Sequence, residues 1–464
     1  MTEKTHKSSI YFIGIKGVGM AALAILAKQK GYRVTGSDVA DDFTTAEVLK
    51  KFKITPLMGF KKEKIKYLTN WPNSSNLVIV TGAHGGLNNP EALAAKEMGL
   101  KVLSHGQALA EFTKEKKTIA VSGSHGKTTV AAMVAHILMK AGLDPSFAVG
   151  CGNIKSLGSP GHFGKGEYFV AEADEYVKRF LDLNPTVGVV TNIEYDHPDA
   201  FRNLEEVKSA FWEFTQKIKE NGVLIAGIDD ENVRQLLPKI KVSVLSYGFS
   251  PICDYQISRL SSGEEATWFN LKYQGTDLGQ FMLRVCGKHN SQNAAAAAIT
   301  ANYLGLSWSE IKKHLATFLG TSRRFEKISE KNGSKFYDDY AHHPTQIKAT
   351  LSAARAKFPK KRIIAVFQPH TFSRTKALFE EFSQCFKSAD LVIITKIYAS
   401  AREKDDPTIS SKMLVNNILK FQKDVIYLET PDEVVEYLKT NLKPEDVVIT
   451  MGAGDIYEIH EKLK

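Results

Sequence analysis

Gly123-Ser124-His125-Gly126-Lys127-Thr128-Thr129 follows the apolar run Thr118–Ser122 and opens a helical pattern that runs to Ala141 and stops at Gly142. A strand, a glycine-rich turn and a helix in that order read as a phosphate-binding loop. The backbone N–H groups of such a turn and the positive end of the helix dipole suit a polyphosphate. Lys127 would reach the β- and γ-phosphates, and the Thr128 hydroxyl would ligate Mg²⁺. The usual spacing is GxxxxGK[ST]; here Val121 stands where the first glycine would be, which leaves GxxGK[ST]. The bland alternative is a turn before a helix that binds nothing.

Working outward, a phosphate loop needs cation ligands on neighbouring strand ends. Tyr168–Ala171 runs into Glu172-Ala173-Asp174-Glu175, and Thr186–Thr191 runs into Asn192-Ile193-Glu194-Tyr195-Asp196-His197. In an open parallel sheet the C-terminal strand ends line one crevice, so both segments are expected to face Lys127. Glu172 offers the hard oxygen that Mg²⁺ prefers. His197 read alone is more often a hydrogen-bonding loop residue than a ligand. Further on, Gly287-Lys288-His289-Asn290-Ser291-Gln292-Asn293 enters the alanine run Ala294–Ala298. His and Asn side chains there either read an adenine edge or, as His289 or Asn290, cap the helix.

The same alternation of strand, turn and helix begins three times. It starts at Ile10–Ile15 with a helix from about Gly19 to Lys30, again at Thr118–Ser122, and a third time at Phe336–Asp339. The third unit continues through Arg362–Phe367, Leu391–Thr395 and Val447–Thr450. Parallel sheets covered by helices follow from that pattern. Val242–Gly248, Thr267–Tyr273 and Phe281–Cys286 read as strands without helices between them, an expected small antiparallel addition. The prediction is an α/β chain of three domains: a Rossmann-like domain over 1–107, a central P-loop domain over 108–320 and a second Rossmann-like domain over 321–464.

Composition agrees with several packed domains. The 464 residues are 43% hydrophobic and 24% charged, which excludes disordered and fibrous classes. Lys and Arg number 61 against 51 Asp and Glu, a net charge of +10 with no basic tail. The lysine clusters at Lys61, Lys62, Lys64, Lys66 and at Lys114, Lys116, Lys117 read as solvated faces, so no nucleic-acid partner is expected. Cys151, Cys253, Cys286 and Cys385 are far apart and form no CxxC, which excludes a zinc ribbon and suits a reducing cytoplasm. The run Ile10–Ala27 is broken by Lys16, Gly14, Gly17 and Gly19, and no apolar stretch reaches the ~18–20 residues of a membrane span.

Together the GxxGKTT loop, Glu-Ala-Asp-Glu at a strand end, Thr-Asn-Ile-Glu-x-Asp-His and His-Asn-x-x-Asn-Ala resemble the Mur ligase family. The resemblance continues through Ser322-Arg323-Arg324-Phe325-Glu326 and Asp338-Asp339-Tyr340-Ala341-His342-His343-Pro344-Thr345. It ends with Phe367-Gln368-Pro369-His370-Thr371-Phe372-Ser373-Arg374-Thr375 and Gly452-Ala453-Gly454-Asp455. These are ATP-dependent amide-bond ligases of peptidoglycan precursor synthesis. The resemblance implies the member that adds the first amino acid, L-alanine, to the carboxylate of UDP-N-acetylmuramate through an acyl phosphate, releasing ADP and phosphate. ATP and Mg²⁺ or Mn²⁺ are implied, in a cytoplasmic monomer or homodimer.

Residue by residue, the resemblance implies that Gly123, Ser124, His125, Gly126, Lys127, Thr128 and Thr129 hold phosphates. His289 and Asn293 would lie by adenine, Arg324 by the phosphates and Asp339 by the ribose. Thr128, Glu172 and His197 would bind the divalent ion. Gly14, Gly17, Val18 and Gly19 would hold a pyrophosphate, with Asp38 near the nucleoside. His342, His343, His370 and Arg374 fall where substrate carboxylate and incoming amino acid are handled, and either His342 or His343 could serve as base. Three departures stand out: Thr371 occupies a position that is arginine in many relatives, Thr81-Gly82-Ala83-His84-Gly85-Gly86-Leu87 is an unusual first-domain loop, and the carbamylated lysine of some sister ligases has no secure counterpart, Lys178 being the weak candidate. Rival readings are a murein-recycling ligase that attaches a tripeptide, a nicotinamide-dependent oxidoreductase and a P-loop switch without catalysis.

Overall fold

Three sheets follow one another along the chain in a computed structural model that describes residues 7–41, 43–66, 77–400 and 403–463. The first has five parallel strands in the order Leu57–Met58, Tyr32–Asp38, Lys7–Ile13, Leu77–Val80, Lys101–Ser104. Its strand order reverses between Lys7–Ile13 and Leu77–Val80. The helix Val18–Gln29 follows the first strand, and its residues Met20–Ala27 are buried without interruption. A helix apolar all round is one covered on every side. Here the first sheet covers one side and strands Ser146–Ala148 and Gly161–His162 of the central domain the other, so one core runs across both domains.

The central sheet has ten strands. Lys117–Ser122 lies between Val187–Val190 and Tyr168–Glu172, parallel to both, with Val121 opposite Glu172 and Ser122 opposite Val190. The phosphate loop therefore leaves the sheet flanked by Glu172 on one side and Thr191 on the other. Val223–Gly227 and Ser243–Gly248 extend the sheet, again in parallel. This corrects one expectation. The segment 242–248 belongs to the parallel sheet, and the antiparallel addition consists of Tyr255–Ser262, Thr267–Tyr273 and Thr276–Leu283. The first of these strands went unread because its inward side is apolar (Tyr255, Ile257) while its far end is polar and exposed.

The third sheet runs Glu326–Lys331, Ser334–Asp339, Val447–Met451, Ile363–Phe367, Leu391–Ile394, Val425–Tyr427, parallel except for the antiparallel edge strand Glu326–Lys331. Its central strands are buried on both faces and read as unbroken apolar runs, as such strands do. Helix His105–Thr113 links the first and second sheets, so the division expected near 107 falls inside it. No helix among the described residues is long and apolar enough to cross a membrane.

Candidate active site between the second and third domains

The phosphate loop is pinned from below by the strand end beside it. Asn192 Oδ1 accepts from His125 N at 2.8 Å, and the His125 carbonyl accepts from Thr191 Oγ1 at 2.6 Å and Asn192 Nδ2 at 3.0 Å. Ser124 Oγ accepts from Glu194 N at 2.8 Å. Gly123 has φ +137°, and a Cβ there would fall on Thr191 Oγ1, so only glycine fits. Gly126 caps the helix Lys127–Lys140 and packs against Asn293 Oδ1. Thr129 lies in the first turn of that helix.

Lys127 points back over its own loop. Its Nζ donates to the carbonyls of Gly123 at 2.5 Å and Ser124 at 3.1 Å, and pairs with Glu175 at 2.8 Å. Burial pushes the Glu175 carboxyl up to about 7 against the pull of Lys127. Thr128 Oγ1 donates to Glu172 Oε1 at 2.7 Å, and the other Glu172 oxygen accepts from Gly150 N at 2.6 Å. Arg324 reaches in from the third domain, Nη2 donating to Thr128 Oγ1 at 3.2 Å.

The three expected cation ligands divide into two groups. Thr128 and Glu172 touch directly. His197 faces Glu175 and Asp196, each 3.9 Å from Nε2, and it lies with Asp174 and Glu175 in one cluster of ligand atoms. Its Nδ1 is buried with no hydrogen-bond partner, and its backbone φ is +58°. A buried nitrogen without a partner is costly and marks a place where a ligand would be accommodated.

A second cluster forms where the third domain meets Asp196. Arg374 Nε donates to Asp196 Oδ1 at 2.7 Å, with both side chains buried. Burial alone would raise the Asp196 carboxyl, but Arg374, His197 and His342 hold it well below the usual carboxylate range. Arg374 Nη1 also contacts His370 Nδ1 at 3.2 Å, and the His370 ring stacks on Tyr398. Thr371 takes φ +68°, a strained conformation for a β-branched residue.

The two adjacent histidines differ. His343 is the N-cap of helix Pro344–Lys357: its Nδ1 accepts from Thr345 N at 3.3 Å and its Nε2 donates to the Tyr195 carbonyl at 3.2 Å. Both nitrogens are occupied. His342 Nδ1 donates to the Tyr340 carbonyl at 2.9 Å, which leaves Nε2 as a lone pair 3.8 Å from Asp196. Burial, then Arg374, pushes His342 down to about 3, so it is neutral at pH 7.

Other expected residues are already engaged within the protein. Asp339 accepts from Phe325 N at 3.0 Å, Ala341 N at 2.8 Å and Thr350 Oγ1 at 3.0 Å. Asp38 ends its strand and accepts from Lys16 N at 2.6 Å and Val39 N at 2.8 Å. Neither His289 nor Asn290 caps the helix Lys288–Tyr303; Gly287 does, and Asn290 Nδ2 donates to the Cys286 carbonyl at 2.7 Å. Burial and Arg324 push His289 down to about 4. Gly14 closes the first strand, Gly17 caps helix Val18–Gln29, and Val18 and Gly19 begin it. Sequence reading passed over Glu175, Asp196 and Gln346. The first two lay inside quoted motifs beside assigned neighbours, whereas no spacing marks Gln346.

Comparison with known proteins agrees along the whole chain. Family models match for the Mur ligase family, catalytic domain over residues 9–117, for the Mur ligase middle domain over 121–301, and for the Mur ligase, glutamate ligase domain over 323–454. The UDP-N-acetylmuramate–L-alanine ligase of Carboxydothermus hydrogenoformans is 41% identical over 98% of this chain and 96% of its own. That of Desulfitobacterium hafniense is 39% identical over 98% and 99%. Among solved structures, UDP-N-acetylmuramate–alanine ligase MurC from Thermotoga maritima superposes with a TM-score of 0.82 at 25% identity, covering 98% of both chains. A murein peptide ligase from Psychrobacter arcticus shares the fold with a TM-score of 0.73 at 24% identity, again over 98% of both.

Proposed function

This chain belongs to the Mur ligase family, and we infer from that premise that it joins L-alanine to the carboxylate of UDP-N-acetylmuramate, using ATP and releasing ADP and phosphate. Near-full-length relatives at 38–41% identity are named for that reaction, so the tripeptide-attaching alternative is not favoured. The observation that carries the chemistry is the convergence of Lys127, Thr128 and Glu172 from the second domain with Arg324 from the third.

A muramyl carboxylate oxygen attacks the γ-phosphorus of ATP, the bond to the β-phosphate oxygen breaks, and ADP leaves with an acyl phosphate formed. The alanine amine then attacks the acyl carbon, phosphate departs, and the amine proton passes to a base. Lys127 leaves Glu175 for the β- and γ-phosphates, and Arg324 adds charge stabilisation from the opposite side. A divalent cation would be held by Thr128 Oγ1 and Glu172 and would neutralise phosphate charge, while His197 lies apart from them, in the cluster with Asp174 and Glu175. His342 is favoured over His343 as the proton acceptor, because its Nε2 carries a lone pair while both His343 nitrogens are bonded, and Asp196, 3.8 Å from that Nε2, would stabilise the imidazolium. Arg374 and His370 are read as the seat of the alanine carboxylate.

The test is phosphate release from ATP with UDP-N-acetylmuramate, supplying L-alanine or the tripeptide separately. Release with alanine and a product heavier by one alanine residue supports the reading. Release with the tripeptide alone would move the chain to the recycling branch.

A further inference from the structure

The loop after Lys7–Ile13 and the loop Thr81–Leu87 after Leu77–Val80 flank the point where the first sheet reverses its strand order, which is where open α/β sheets place a ligand. Helix Val18–Gln29 starts there at Gly17 with no side-chain cap, so its first N–H groups favour an anion in that crevice. Lys16, on the same loop, is turned away: its ammonium donates to the carbonyls of Val39 and Asp41, each at 2.8 Å.

A cation arrives instead from the second domain. Arg179 sits in the helical turn Tyr176–Asp182, in which Val177 and Lys178 both take positive φ. Its Nη1 donates to Asp174 Oδ2 at 3.2 Å, and its guanidinium lies 5.0 Å from the centre of the Tyr176 ring. Nη2 rests against the first domain, where a Cβ on Gly82 would fall on it. The Arg179 backbone packs on Gly106, and the neighbouring His105 ring lies against Gly19 in the first turn of the anion-facing helix. The guanidinium thus lies against the loop after the fourth strand, and the Arg179 backbone packs beside the His105 that meets the start of that helix.

We propose that Arg179 is a substrate-binding residue that closes the first-domain crevice from the second domain and binds the diphosphate of the UDP-sugar. The proposal rests on the substrate reading above. A guanidinium presents a planar fork of donors suited to phosphate oxygens; Asp174 holds one arm, and the other lies against Gly82 on the loop that flanks the crevice. Gly82 is the small residue that admits it, which gives the unusual Thr81–Leu87 loop a physical reason.

The experiment is calorimetric binding of UDP and of uridine to the full chain, its Arg179→Gln variant and its Gly82→Ala variant. Gly82 has no positive φ, and the atom displaced by a new Cβ is the end of a flexible side chain, so Gly82→Ala moves the guanidinium without unfolding the loop. Both variants are expected to lose about tenfold to a hundredfold in UDP affinity while uridine affinity stays unchanged. Equal losses for UDP and uridine would show that Arg179 merely shapes the loop, and unchanged UDP affinity in Arg179→Gln would likewise overturn the assignment. An unaltered chain that binds no UDP would overturn the substrate reading itself and this proposal with it.

Discussion

The side-chain amide of Gln346 donates from Nε2 to His125 Nδ1 at 2.8 Å, so the third domain is bonded to the phosphate loop of the second. The direction of that bond is fixed. Gln346 Oε1 already accepts from the backbone N–H groups of His342 at 3.0 Å and His343 at 3.3 Å, and an N–H can only donate. His125 Nδ1 is therefore the acceptor, and the neutral ring carries its proton on Nε2, which faces Glu194 Oε2 at 3.5 Å. His125, Glu194 and His343 thus stand close together where the two domains meet.

Gln346→Glu keeps the helix cap, since Glu serves equally at that position, but it removes the donor. The ¹⁵N shifts of His125 should then change from the Nε2–H pattern to one with a proton on Nδ1. An unchanged pattern in the variant would contradict the assignment.

Lys127→Ala should lower the rate of phosphate release by roughly 10²–10³-fold or more, as loss of a preorganised transition-state charge does. UDP-sugar affinity should remain, because the first-domain crevice is built from other residues. Loss of UDP-sugar binding in a folded variant would contradict this separation of sites.

Arg374→Ala should raise the KM for L-alanine about tenfold or more, in line with losing a charge-assisted hydrogen bond. It also strands Asp196, a buried carboxylate whose shortest ion pair is to Arg374. Breaking a buried pair on one side costs about 3–5 kcal/mol, so the thermal midpoint should fall as well. An unchanged KM for alanine would remove Arg374 from the amino-acid site.

Acid should destabilise the protein through its buried histidines. Burial pushes His105, His136 and His289 each down to about 4. Unfolded, they bind protons near the ordinary value of about 6.5. Between those values the unfolded chain holds more protons, so stability is full above about 6.5 and declines as pH falls toward 4. His136 lies away from the site, its Nε2 2.9 Å from the His314 carbonyl and its Nδ1 2.9 Å from Ser156 Oγ. The thermal midpoint should drop from pH 7 to pH 5, less steeply in His136→Gln. A midpoint flat over that range would refute the prediction.

The local pattern of the chain was enough to read three α/β units, the phosphate loop and the strand ends beside it. Glycine turns after apolar runs, followed by helical periodicity, are short-range signals, and parallel topology then brings Glu172 and Thr191 to either side of Gly123. The same reasoning found the antiparallel addition but misplaced 242–248 in it, because strand direction depends on pairing partners and periodicity cannot report it. Contacts between domains were equally invisible. Arg324 on Thr128, Arg374 on Asp196, Gln346 on His125 and Arg179 on Gly82 each join residues far apart in the chain, and nothing in local propensity encodes how separately folded sheets dock. Sequence by itself determined which chemical groups the protein carries and on which strand ends they sit. The tertiary structure alone decided their pairing, because burial and hydrogen-bond geometry select one partner, one tautomer and one protonation state for each.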